Sequence, residues 1–74
     1  MTVIKFNGVV TAVSQGAPYT ATVDFPGPPP VTVIFDCTIE EWFEFDMAKQ
    51  AGNVVDVTYD DTDNQPDNIY AHSL

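Results

Sequence analysis

Tyr19-Thr20-Ala21-Thr22-Val23-Asp24-Phe25-Pro26-Gly27-Pro28-Pro29-Pro30-Val31-Thr32-Val33-Ile34-Phe35-Asp36-Cys37 is the stretch from which the rest of the chain can be read. Successive side chains of a strand point to opposite faces, so a period of two marks a half-buried strand. Over Tyr19–Phe25 the odd positions Tyr19, Ala21, Val23 and Phe25 are apolar, while Thr20, Thr22 and Asp24 are polar. Between Val31 and Cys37 the odd positions Val31, Val33, Phe35 and Cys37 again form the apolar set, opposite Thr32, Ile34 and Asp36. Proline has no N–H to give to a ladder, so Pro26-Gly27-Pro28-Pro29-Pro30 must connect two strands.

Working outward, Val3–Val13 reads as a long first strand with Gly8 in its middle. Ile4 and Phe6 share one face before the glycine, and Val9 and Val13 share the other after it. A bulge or sharp bend at Gly8 reconciles the two phases and lets one strand serve both halves of a barrel. Ser14-Gln15-Gly16-Ala17-Pro18 has the composition of a turn.

Thr38-Ile39-Glu40-Glu41 is a capping box, in which the threonine hydroxyl accepts an early helix N–H and Glu41 reaches back. A helix therefore starts here and stops at Gly52, the residue type that tolerates a left-handed end. Ile39, Trp42, Phe43 and Met47 fall near one stripe, extended by Ala48 and Ala51, with Glu40, Glu41 and Glu44 left wet. Aromatic Trp42-Phe43-Glu44-Phe45 also suits a strand, but the cap, the glycine stop and Ala48-Lys49-Gln50-Ala51 favour helix. Asn53–Tyr59 alternates again through Val55, Val57 and Tyr59, Asp60–Asp67 reads as a polar turn, and Asn68–Ser73 as a short last strand. In that strand Ile69 and Ala71 are expected inward, with Tyr70 and His72 on the opposite face.

The resulting order, β-β-β-α-β-β, with a long glycine-bent first strand, resembles the OB-fold, a five-stranded barrel with its helix between strands three and four. Gly52-Asn53-Val54-Val55-Asp56-Val57-Thr58-Tyr59, a helix stop running directly into an alternating strand, is the most OB-like stretch. The resemblance implies one mostly β domain over residues 1–74, a small OB-like barrel; an SH3-like barrel or another small α+β sheet fits the same pattern. It also implies a ligand surface on strands two and three, bordered by the Ser14–Pro18 and Asp60–Asp67 loops. Neither loop holds a base, whereas OB proteins that bind single strands stack bases on aromatics within a positive groove.

Composition narrows function further. Eleven carboxylates against two lysines, with no arginine, leave a formal net charge of −9. Such a field repels polyanions, and Lys5 with Lys49 cannot form the patch that direct nucleic-acid binding requires. Anionic membranes are disfavoured for the same reason. A chain of 74 residues buries only about 60% of its unfolded surface, so the core is limited, and dimerisation is one way to extend it. The lone Cys37 closes no internal disulfide, residues 1–20 contain no long apolar run, and no segment is long enough to span a bilayer, so a cytoplasmic domain is expected.

Motifs for chemistry are weak. Asp60-Asp61-Thr62-Asp63-Asn64-Gln65-Pro66-Asp67 clusters hard oxygen donors, but counted from Asp61 the sixth position is Pro66 instead of glycine and the twelfth His72 instead of glutamate. The EF-hand pattern fails, and a solvated acidic turn is the simpler account. Cys37 and His72 are the only conventional nucleophile and base, and nothing in the sequence places them together. No catalysis, metal or cofactor is expected. Candidate partner-binding residues are Glu40, Glu41, Glu44, Phe45 and Asp46 on the helix and Asp60, Asp61, Asp63 and Asp67 in the turn. If Trp42 and Phe43 pack inward, Phe45 either stands exposed as an apolar anchor or is buried by the barrel end. The expectation is a non-enzymatic module for a protein partner, with a basic partner favoured by charge. One version is a nucleic-acid mimic of the kind phages and mobile elements use as small acidic inhibitors; a structural homo-oligomer and an atypical OB-type single-strand binder are the alternatives.

Overall fold

The Pro26–Pro30 segment joins two antiparallel strands in a computed structural model that describes residues 1–74. Strands β2 (Thr20–Phe25) and β3 (Val31–Asp36) pair Ala21 with Phe35, Val23 with Val33 and Phe25 with Val31. Ala21, Val23, Phe25, Val33 and Phe35 are buried, as the alternation requires, while Val31 at the proline end stays partly exposed. The remaining elements are β1 (Thr2–Val13), α1 (Ile39–Ala51), β4 (Val54–Asp60) and β5 (Gln65–His72). All five strands form one antiparallel sheet in the order β3-β2-β1-β4-β5.

The expected closed barrel is not formed. No ladder joins β3 to β5; a single backbone hydrogen bond, Asp36 N–H to the Asn64 carbonyl at 2.9 Å, links their ends. The sheet is therefore open along one seam.

Strand β1 carries two irregularities, one between Lys5 and Gly8 against β4 and one between Val10 and Ala12 against β2. The first turns on Asn7, whose φ of 58° is left-handed, a conformation asparagine tolerates better than most residues. Gly8 is required by packing: a Cβ there would lie 2.5 Å from Val23 Cγ1 and 2.6 Å from Phe25 Cε1. Ile4 and Phe6 share the outer face, as their spacing implies. Val9 and Val13 do not share a face, because the second bulge shifts the phase: Val10 is buried, Val13 packs against the core and Val9 is exposed.

Helix α1 begins and ends where its caps dictate. Thr38 N–H donates to Glu41 Oε1 at 2.8 Å and Glu41 N–H donates to Thr38 Oγ1 at 3.2 Å, while Gly52 closes the helix at φ 70°. Its phase differs from the expected one. The inward stripe is Trp42, Phe45 and Ala48, with Phe45 fully buried and Phe43 turned to solvent. Positions 42, 45 and 48 lie within roughly 120° of one another on a helical wheel, and the small Ala48 lets the helix approach the sheet closely. Phe45 stacks on Phe35 at 5.4 Å and 12°, and Phe35 meets Tyr59 edge-on at 4.9 Å and Phe25 at 6.2 Å. This aromatic cluster is the centre of the core.

The polar turn is shorter than its composition suggests. Strand β5 already starts at Gln65, and Pro66 is buried within it, beside a bulge opposite Thr58 and Tyr59. A proline is tolerated there because β5 is an edge strand with one side free of ladder partners. Ile69 packs against the core, and Tyr70 faces out, stacked on His72 at 5.3 Å.

Candidate functional site

Two stripes of apolar residues run along α1, and only one is covered by the sheet. At about 100° per residue, Ile39, Phe43 and Met47 line up at i, i+4 and i+8 on the side away from Phe45. They are 48%, 52% and 68% exposed. Glu40 and Glu44 border this stripe on one side and Asp46 on the other, by the same geometry. Phe43 is braced edge-on against Trp42 at 5.2 Å, and Trp42 is in turn fixed by its Nε1–H donating to the Ser14 carbonyl at 3.0 Å and by contact with Tyr19. The exposed aromatic thus stands on a rigid support.

Beyond Met47 the stripe runs into a shallow groove of about 280 Å³ between α1 and β5, lined by the apolar Met47, Ala48, Ala51, Ile69 and Ala71 together with Glu44 and Asn53. Apolar surface therefore continues from the helix to the edge strand.

The structure divides the candidate residues. Glu40 and Glu44 are exposed beside the stripe, and Asp46 is partly buried, accepting a bond from Gln50 Nε2 at 2.9 Å. Glu41 is committed to the cap, so it serves the helix terminus. Phe45 is core, and the place of an exposed anchor is taken by Phe43. Asp60 accepts the backbone N–H and hydroxyl of Thr62 at 2.9 and 2.7 Å; those bonds, helped by the N-terminal ammonium, lower its pKa to about 2. Asp61 pairs with the same ammonium at 3.1 Å, Asp63 accepts from Gln65 N–H at 3.0 Å, and Asp67 is exposed on β5. These bonds explain the turn as a self-bonded cap between β4 and β5. No three His, Cys, Asp or Glu side chains converge where they could hold a metal.

A second polar centre lies outside the candidate residues. On the outer sheet face Asp56 Oδ1 accepts the Asn7 N–H at 2.9 Å and lies 3.0 Å from His72 Nε2, while His72 Nδ1 is 3.0 Å from the Ser73 carbonyl. Both ring nitrogens face acceptors, which favours the doubly protonated imidazolium. The His72 pKa is raised by Asp56 first and the Ser73 carbonyl second; that of Asp56 is lowered by His72 and then by the Asn7 N–H.

Cys37 lies apart from this centre, with its Sγ 3.6 Å from the Phe35 carbonyl and Asp36, Thr38 and Glu41 around it. Burial pushes its thiol up to about 12, and the negative charges of Glu41 and Asp36 add to the shift. No helix is long and apolar enough to cross a membrane.

No family model, curated protein or solved structure matches this chain.

The exposed stripe had a signal in the sequence, the i, i+4, i+8 spacing of Ile39, Phe43 and Met47. That spacing competes with Trp42, Phe45 and Ala48, and both are legitimate helical stripes. The Asp56–His72 contact had none, since it depends on the register that sets Val54 opposite His72.

Proposed function

We propose that this chain is a non-enzymatic binding module, OB-like in its order of elements, that engages a basic protein partner through its acidic surface. The strand order supports the OB-like reading: joining β3 to β5 would complete that barrel, with the helix already between β3 and β4. The observation that carries the functional reading is the lack of internal compensation. Carboxylates are ion-paired only by the N-terminal ammonium and His72, and neither Lys5 nor Lys49 pairs with any of them. The remaining acids direct their field outward, where it accelerates encounter with a cationic surface and sets its orientation.

In its most specific form the module mimics a polyanion and occupies a basic nucleic-acid-binding site. Catalysis is disfavoured because Cys37 is held as a thiol in an acidic setting and His72 is engaged by Asp56. The open edges of β3 and β5 favour one second reading, a homo-oligomer that pairs those edges.

Competition decides between these readings. A basic DNA-binding domain is bound to labelled duplex DNA and titrated with this protein at low and moderate salt, with the protein's own mass followed by light scattering. Displacement of DNA that weakens steeply with salt is expected. A salt-insensitive homodimer without displacement would support the oligomer instead, and direct binding of single-stranded DNA at moderate salt would overturn the proposal.

A further inference from the structure

We propose that the Ile39–Phe43–Met47 face of α1, continuous with the groove between α1 and β5, docks a basic amphipathic helix of the partner protein. The inference rests on the basic-partner reading and assigns it a place and a shape. An apolar stripe at i, i+4 and i+8, flanked on both sides by carboxylates, is the complement of a helix whose apolar stripe is flanked by lysines or arginines. Phe43 and Met47 supply the contact area: the aromatic is pre-positioned by Trp42, and the flexible thioether adapts to the side chains it meets. Glu40 and Glu44 face one flank of the incoming helix, and Asp46 the other.

Charge selects this occupant over a second copy of the chain. An isologous contact here would set Glu40, Glu44 and Asp46 against their own equivalents, on two bodies of net charge −9 each. The acidic turn is a poorer site, because Asp60, Asp61 and Asp63 already accept bonds or ion pairs within the protein, and the one exposed apolar side chain beside them belongs to Met1, whose ammonium neutralises part of the charge of Asp60 and Asp61.

The probe is an 18-residue peptide of leucine and lysine, without aromatics, patterned as an amphipathic helix, compared with a scrambled peptide of the same composition. Affinities are measured by anisotropy of the labelled peptides at about 0.15 M ionic strength. Emission of the single tryptophan, Trp42, which abuts Phe43, reports where the peptide sits. The amphipathic peptide is expected to bind at least about tenfold more tightly than the scrambled one and to shift Trp42 emission. The double variant Phe43→Ala/Met47→Ala should lose about tenfold or more of that affinity, the effect of removing two interface anchors. Asp61→Asn/Asp63→Asn/Asp67→Asn should change it only about twofold, as expected for distant exposed charges. Both residues of the double variant are exposed, and an unchanged circular dichroism spectrum establishes that it is folded. Glu40→Gln/Glu44→Gln, which removes no packing, should flatten the salt dependence.

Equal binding of the two peptides, or loss of binding in the turn variant alone, would leave the basic-partner reading standing and overturn the helix-face site. Failure of both peptides to bind even at low salt would overturn both. A homodimer abolished by the Phe43 and Met47 substitutions would make a second copy the occupant and refute the proposal, as would binding to neutral lipid vesicles with no peptide preference.

Discussion

Replacing Phe45 and Phe43 separately tests the rotation of α1, on which both the core and the docking face depend. Phe45 is fully buried and stacked on Phe35, whereas Phe43 is half exposed and touches Trp42 at one edge. Truncating a buried phenylalanine to alanine costs about 3–5 kcal/mol, part of it the loss of the aromatic pair. A domain of this length has a total stability of about 4–11 kcal/mol, so Phe45→Ala removes between about a quarter and all of it. Phe45→Leu is the gradable form, at about 1–2 kcal/mol and a fall in Tm of roughly 5–15 °C. Phe43→Ala should cost no more than about 0.5–1 kcal/mol, since only the contact with Trp42 is lost. Urea titration of each variant, followed by far-ultraviolet circular dichroism and tryptophan fluorescence, gives the free energies, and coincidence of the two probes establishes a two-state transition. Equal costs at the two positions, or a larger cost at Phe43, would mean that the helix presents the opposite face to the sheet. The assigned core would then be wrong.

Four further outcomes follow from named contacts. Gly8→Ala places a methyl against Val23 and Phe25 in the core and should destabilise by about 1–3 kcal/mol in the same titration. Thr38→Ala removes the hydroxyl that caps α1 and should cost about 1 kcal/mol, with little change in the folded spectrum. In a proton NMR titration the single histidine should titrate above the ordinary 6.5, and Asp56→Asn should return it toward that value. Because the His72 pKa is raised, its contribution to stability is full below pH 6.5 and is lost as pH climbs through the folded value; the lowered Asp56 contributes fully above pH 3.8 and is lost on acidification through its own folded value. The pair therefore stabilises most between those limits, and a denaturation series across pH that lacks this plateau in the difference between wild type and Asp56→Asn would contradict the contact. Cys37, with its thiol raised to about 12, should react with a thiol reagent at pH 8 far more slowly in the folded protein than in urea.

The elements legible in the sequence are those specified by neighbouring residues. Alternation in Tyr19–Phe25 and Val31–Cys37, the proline run between them, the Thr38–Glu41 cap and the Gly52 stop each act over a few positions, and the structure keeps all of them. The phase of α1 was not legible. Its two apolar stripes satisfy the same periodicity, and the choice between them is made by the sheet, which accepts Phe45 onto Phe35. The start of β5 is masked in the sequence because Pro66 and four nearby aspartates have turn chemistry, while an edge position makes the proline harmless. Barrel closure and the Asp56–His72 contact depend on distant pairing. Of the candidate residues, Glu40, Glu44 and Asp46 border the exposed Ile39–Phe43–Met47 stripe, Glu41 belongs to the cap, and Phe45 lies in the core while Phe43 is exposed.

The divided pairing of β1 has a mechanical consequence. Its first part, Thr2 to Lys5 and Gly8, is paired with β4, and its last part, Val10 to Val13, with β2; only Val9 is paired with both. With the seam between β3 and β5 left unladdered, the molecule is two antiparallel leaves hinged there: β4 and β5 on one side, β2 and β3 on the other. Phe35 of one leaf, Tyr59 of the other and Phe45 of the helix form the latch that holds them shut. Amide exchange should accordingly resolve two units that open with different free energies, slowest where the leaves share β1, and loosening the latch should make the units exchange more independently without unravelling either ladder.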